Sequence, residues 1–176
     1  MEIKILSRAE ALTLRFTHPE IIETINIISI NDKSDKNAFS NAENILSLTF
    51  SDIEEDYFDF SEYNQNQLIL FERKHTNKII EFAEKMDKNK PLIVHCFAGI
   101  SRSAAVALFI QAIYGTKEDF IQLFQTYDID PNRFVFRRLC DNYFVDQNKK
   151  SEVIKMFDDI KSACCRNKKD TFIQTI

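Results

Sequence analysis

The sequence predicts an α/β fold with a central, mostly parallel sheet flanked by helices. Short β-branched runs at residues 3–6, 25–30 and 45–50 alternate with helical patterns. Leu92, Ile93 and Val94 form a continuous apolar run suited to a strand covered on both faces, as parallel strands are. From residue 102 onward only helical patterns remain.

Taken in order, residues 3–6 make the first strand, and Ser7 is placed to N-cap a short amphipathic helix leading to the second strand. The polar stretch 31–44 reads as a surface loop, not a domain boundary. The third strand, 45–50, runs into an acidic segment, 51–59. Leu68, Phe71, His75, Ile79, Phe82 and Met86 recur at three- and four-residue intervals, one face of a long helix that Pro91 stops. His75 on that face is a core residue. Residues 102–114 are apolar nearly all round, which marks a central helix. Gly115 stands where a left-handed residue usually ends a helix, and Thr116 and Asp119 are spaced as a capping pair for 117–127. Asp130 and Pro131 open a helix to about 144, and Ser151 caps a last one at 153–164. No repeat or compositional break divides residues 1–176, so a single domain is expected.

Composition narrows the function. The net charge of −4 leaves no basic field for nucleic acid or an anionic membrane. The longest apolar run, 104–113, is too short to span a bilayer, and the N-terminus has no apolar stretch of secretory type. Four cysteines without such a signal point to free thiols in a cytoplasmic monomer. There is no Cys-x-x-Cys, and His18, His75 and His95 have no ligand spacing, so neither metal nor cofactor is expected. Two glycines are too few for a dinucleotide fingerprint or a Walker loop.

One of those glycines lies in His95-Cys96-Phe97-Ala98-Gly99-Ile100-Ser101-Arg102-Ser103. Here a buried strand ends at a cysteine, a short loop follows, and a helix begins at an arginine. Loop amides and the helix dipole converge on one hollow, an anion site of phosphate size. Gly99 lets the loop turn without a Cβ penalty. Cysteines in such positions are nucleophilic thiolates near neutral pH. The planar fork of Arg102 matches two phosphate oxygens. Cys140, Cys164 and Cys165 have no such setting and read as inert core.

These residues resemble the cysteine-dependent protein tyrosine phosphatase superfamily, whose signature is His-Cys, five residues, then Arg-Ser or Arg-Thr; His95, Cys96, Gly99, Arg102 and Ser103 all match. Ala-Gly-Ile-Ser-Arg-Ser looks like the dual-specificity branch, which includes small bacterial and phage relatives, and Pro131-Asn132 is similar to its later Pro-Asn motif. With no tryptophan, the Trp-Pro-Asp loop of the tyrosine-specific branch is absent. The resemblance covers about residues 45–145; residues 146–176 are a C-terminal helix and tail outside it.

The resemblance implies a phosphatase that acts on phosphotyrosine, and also on phosphoserine or phosphothreonine, in a protein substrate. Cys96 would be the nucleophile, with residues 97 to 101 (Phe97, Ala98, Gly99, Ile100, Ser101) and Arg102 cradling the phosphate. Ser103 would support the Cys96 sulfur as a leaving group, and His95 would orient the loop from beneath. For the general acid, the branch's usual position falls on Asn64-Gln65-Asn66-Gln67, which carries no carboxylate. Asp52, Asp56 and Asp59 are the candidates, and Asp52, in Phe50-Ser51-Asp52-Ile53, follows the third strand at the distance the family pattern suggests. Asn132 either caps the helix after Pro131 or hydrogen-bonds the loop. Two alternatives use the same residues: a phosphatase of a non-protein phosphoester such as an inositol phosphate or an RNA 5′ phosphate, and a phosphopeptide-binding pseudophosphatase.

Overall fold

The structure, a computed structural model, describes residues 1–53 and 68–173, with side chains as far as residue 164. Strands β1 (Ile3–Ser7), β2 (Asn26–Asn31), β3 (Ile45–Thr49) and β4 (Leu92–Cys96) form one sheet in the order β1-β4-β2-β3, every pairing parallel. The helices are α1 (Arg8–Thr17), α2 (Arg73–Lys85), α3 (Arg102–Tyr114), α4 (Lys117–Thr126), α5 (Arg133–Tyr143) and α6 (Gln147–Ile173), with a 3₁₀ turn at Pro19–Thr24.

All five residues of β4 are buried. Leu92, Val94 and Cys96 enter the larger apolar cluster with α2, α3 and α5, while Ile93 enters a smaller one with Ala11, Ile25, Ala38 and Phe39. Successive side chains point to opposite faces, so a strand buried on both sides is mostly apolar, and His95 is the buried polar residue of β4. Ten consecutive residues of α3, from Arg102 to Gln111, are buried, as the all-round apolar pattern predicts. Ser7 caps α1 by accepting the Glu10 N–H at 3.2 Å. Thr116 and Asp119 exchange side-chain bonds of 3.1 and 3.0 Å with each other's backbone N–H groups, the capping box that opens α4. No helix among the described residues is long and apolar enough to cross a membrane.

Three expectations need correction. Helix α2 begins at Arg73, not near Leu68, because Ser51 pairs with Ile69 through its N–H to the Ile69 carbonyl (2.7 Å) and its hydroxyl from the Ile69 N–H (3.1 Å). That holds the lead-in extended. Gly115 has φ −108°, not a left-handed value. Its requirement is space, since a Cβ would lie 1.8 Å from Gln111 Nε2. Ser151 sits inside α6, whose first turn is capped by the Asp146 carboxylate accepting the Asn148 N–H at 2.8 Å.

Candidate active site

The loop from Cys96 to Arg102 begins at the C-terminal end of β4, between β1 and β2, and leads directly into α3. Loops at that end of a parallel sheet are where α/β proteins place ligands. Gly99 has φ +76°, and a Cβ there would lie 2.7 Å from Ser7 N and 2.8 Å from the Leu6 carbonyl carbon. The loop therefore rests against the β1–α1 junction with no room for a side chain. The Arg8 N–H donates to the Phe97 carbonyl at 3.0 Å and pins the same edge.

Cys96 Sγ accepts the Gly99 N–H at 3.3 Å and lies 3.1 Å from Ser103 Oγ. His95 is fully buried, with its ring 5.6 Å from that of Phe39. Burial pushes its imidazole down to about 4, a loose contact with the Cys96 main chain opposing this, so the ring is neutral. Phe97 and Ile100 are the large apolar side chains that the loop exposes.

Asp52 lies just after β3, and its Oδ1 accepts from Ser101 Oγ at 2.7 Å and from Asn132 Nδ2 at 2.8 Å. Its Oδ2 is 3.7 Å from Arg102 Nε. Asn132 is buried and its Oδ1 caps α5 by accepting the Val135 N–H at 2.9 Å, while Nδ2 reaches not the phosphate loop but the segment after β3, at Asp52 and at the Ile53 carbonyl (3.0 Å). The backbone N–H groups of Asp130 and Asn132 donate to the carbonyls of Ile100 and Ser101, which fastens the Pro131 turn to the loop. Asp56 and Asp59 lie outside the described residues.

Arg102 is almost fully buried, 3% exposed. Burial works against its charge, yet its pKa is raised, because Asp32 pairs with it: Nη1 to Oδ1 at 2.7 Å and Nη2 to Oδ2 at 3.0 Å. Nη1 also donates to the Phe50 carbonyl at 2.8 Å. Asp32 is the site residue that the sequence did not reveal. It lay in a stretch read as surface loop, and its one signal was its place directly after a strand's C-terminal end.

Cys140 is buried and pushed up to about 12 by burial, which makes it unreactive. Cys164 is half-buried on α6, and the side chain of Cys165 lies outside those described. His75 is a core residue: its Nδ1 accepts the Glu72 N–H at 2.9 Å and its ring stacks on Phe71. Among the described residues, no three His, Cys, Asp or Glu side chains cluster as a metal site would require.

No curated protein sequence matches the chain. The model of the family described as protein-tyrosine phosphatase matches residues 57–129, a span that includes β4, the Cys96–Arg102 loop and α3. That match spans less than half of the chain, and together with a parallel sheet that delivers His95, Cys96, Gly99, Arg102 and Ser103 to the start of a buried helix it makes the signature-bearing part of the chain similar to the cysteine-dependent protein tyrosine phosphatases.

Proposed function

We propose that this chain hydrolyses phosphotyrosine in protein substrates, with dual-specificity-like access to phosphoserine and phosphothreonine, through a cysteinyl-phosphate. The observation that carries the reading is the convergence of Cys96 Sγ, the Arg102 guanidinium and the Asp52 carboxylate around one loop. In the first step Cys96 Sγ attacks phosphorus in line, the S–P bond forms, and the bond from phosphorus to the tyrosyl oxygen breaks. Arg102 and the loop amides hold the equatorial oxygens. Asp52, in its acid form, gives its proton to the departing oxygen. In the second step Asp52 takes a proton from water as the water oxygen bonds phosphorus. The S–P bond breaks, and Ser103 stabilises the leaving sulfur.

The exposed side chains of the loop favour an aryl phosphomonoester. Phe97 and Ile100 offer an aromatic and an aliphatic surface to a phenyl ring. No lysine or arginine lies between Cys96 and Arg102 to attract a polyphosphorylated ligand. The test is turnover of p-nitrophenyl phosphate and of a phosphotyrosyl peptide by wild type and by Cys96→Ser. Hydrolysis of both by wild type and of neither by the variant is expected. Peptide binding without turnover would make the chain a binding module, and equal turnover by the two proteins would remove Cys96 from the mechanism.

A further inference from the structure

A guanidinium has five N–H donors, and those of Arg102 are divided unequally. Nη1 uses both of its protons, on Asp32 Oδ1 and on the Phe50 carbonyl, and Nη2 uses one on Asp32 Oδ2. The Nε–H and the second Nη2–H remain, and they share one edge of the plane. Nε meets no hydrogen-bond acceptor among the described residues although it is buried. Two parallel donors on a buried edge fit two oxygens of one phosphate group.

We infer that Asp32 is a positioning residue that grips the outer edge of Arg102 and thereby turns the Nε/Nη2 edge to the transferring phosphoryl group. The inference rests on the phosphatase reading and names a residue that acts on the reaction only through Arg102.

The segment bearing Asp32 is built to hold still. The Asp35 N–H donates to the Asp32 carbonyl at 3.1 Å, and Asp35 pairs with Arg8 at 3.4 Å. Arg8 also donates to the Lys36 carbonyl, and Arg15 donates to that of Ala38. The Ala38 N–H donates to Asn31 Oδ1 at 3.2 Å, and Phe39 is buried against His95. Helix α1 and the residue beneath the catalytic cysteine thus clamp the loop on both sides of Asp32. A surface carboxylate that met Arg102 by chance would not be fixed in this way.

Phosphoryl oxygens reach their equatorial arrangement only in the transition state, so a misaligned fork lowers kcat more than it raises KM. The experiment compares Asp32→Asn and Asp32→Ala with wild type on p-nitrophenyl phosphate, each also in an Arg102→Lys background, and measures vanadate affinity by calorimetry. Asp32→Asn is close to isosteric and keeps the loop folded if the alanine variant does not. For either variant kcat should fall by about 10- to 100-fold with KM changed less than about threefold, and vanadate affinity should fall at least about tenfold. In the Arg102→Lys background the same substitutions should cost less than about twofold, because an ammonium has no fork to align.

An equal loss in both backgrounds would mean that Asp32 is merely structural, and tighter vanadate binding by Asp32→Asn would mean that the carboxylate competes for the phosphate position. Either result overturns the inference while leaving the phosphatase reading intact. A wild-type protein that neither turns over substrate nor binds vanadate would overturn both.

Discussion

Asn132 joins the acidic loop to the helix it caps: its Nδ2 donates to Asp52 Oδ1 at 2.8 Å while its own Oδ1 accepts the Val135 N–H at 2.9 Å. One buried side chain therefore serves stability and the placement of the proposed acid, and two substitutions separate these effects. Asn132→Ser keeps a good N-cap but cannot reach Asp52, whereas Asn132→Ala loses both. The alanine variant should be less stable than the serine variant by about 1 kcal/mol in urea denaturation. Both should lose activity to a similar degree, about tenfold or more. Near-wild-type activity of Asn132→Ser would show that Asp52 is held well enough by Ser101 alone.

The same pair shows how far the sequence could be read. Features set by neighbours along the chain were legible: the bounds Arg102–Tyr114, the caps at Ser7 and Thr116, and the φ > 0 at Gly99. Asp32 was not, because it meets Arg102 across 70 residues and only through the sheet order, which puts β2 beside β4. Strand order leaves no periodic trace in a sequence. Leu68 misled for a related reason: its spacing continues the face of α2, but the tie between Ser51 and Ile69 competes with the helix and wins. Gly115 was assigned by the commonest use of its position, whereas here the Gln111 side chain crowds it.

Ser103 Oγ lies 3.1 Å from Cys96 Sγ, and Ser103 is fully buried. If it stabilises the sulfur as it leaves phosphorus, Ser103→Ala should slow the second step selectively. A hydrogen bond to a charged group contributes about 1.5–3 kcal/mol, so kcat should fall by roughly 10- to 100-fold. Stopped-flow release of p-nitrophenol should then show a burst followed by a slow steady state, as expected when a covalent intermediate accumulates. Loss of the burst together with the steady state would assign Ser103 to the first step.

Gly99 and Gly115 should respond differently to alanine. At Gly99 the added Cβ meets backbone atoms of Leu6 and Ser7 and the residue must keep φ +76°, so neither the neighbours nor the dihedral can yield cheaply. About 2 to 3 kcal/mol of stability should be lost, along with most activity as the loop shifts. At Gly115 the closest atom is the far end of the buried Gln111 side chain, with the Gln111 carbonyl oxygen at 2.9 Å, but no left-handed φ has to be kept. Gly115→Ala should melt below wild type but above Gly99→Ala, with activity kept. Equal melting temperatures for the two variants would contradict the contact the loop makes with the β1–α1 junction.

His95 makes stability depend on pH, with a definite sign. Its imidazole is held at about 4 when folded and returns to about 6.5 when unfolded, because burial disfavours the charged ring. Between those values the unfolded chain binds the extra proton, so stability rises with pH there. The contribution is fully present above about pH 6.5 and disappears as pH falls toward 4. Integrated from pH 7 to pH 5, it amounts to a loss of about 2 kcal/mol. His75, also lowered by burial, acts in the same direction. Urea denaturation of wild type and His95→Asn at pH 7 and pH 5 measures the effect. The variant should be less stable at pH 7, since it leaves space beside Phe39, but its loss between the two pH values should be clearly smaller than that of wild type. A pH dependence unchanged by the substitution would mean that the buried imidazole is not the group that titrates.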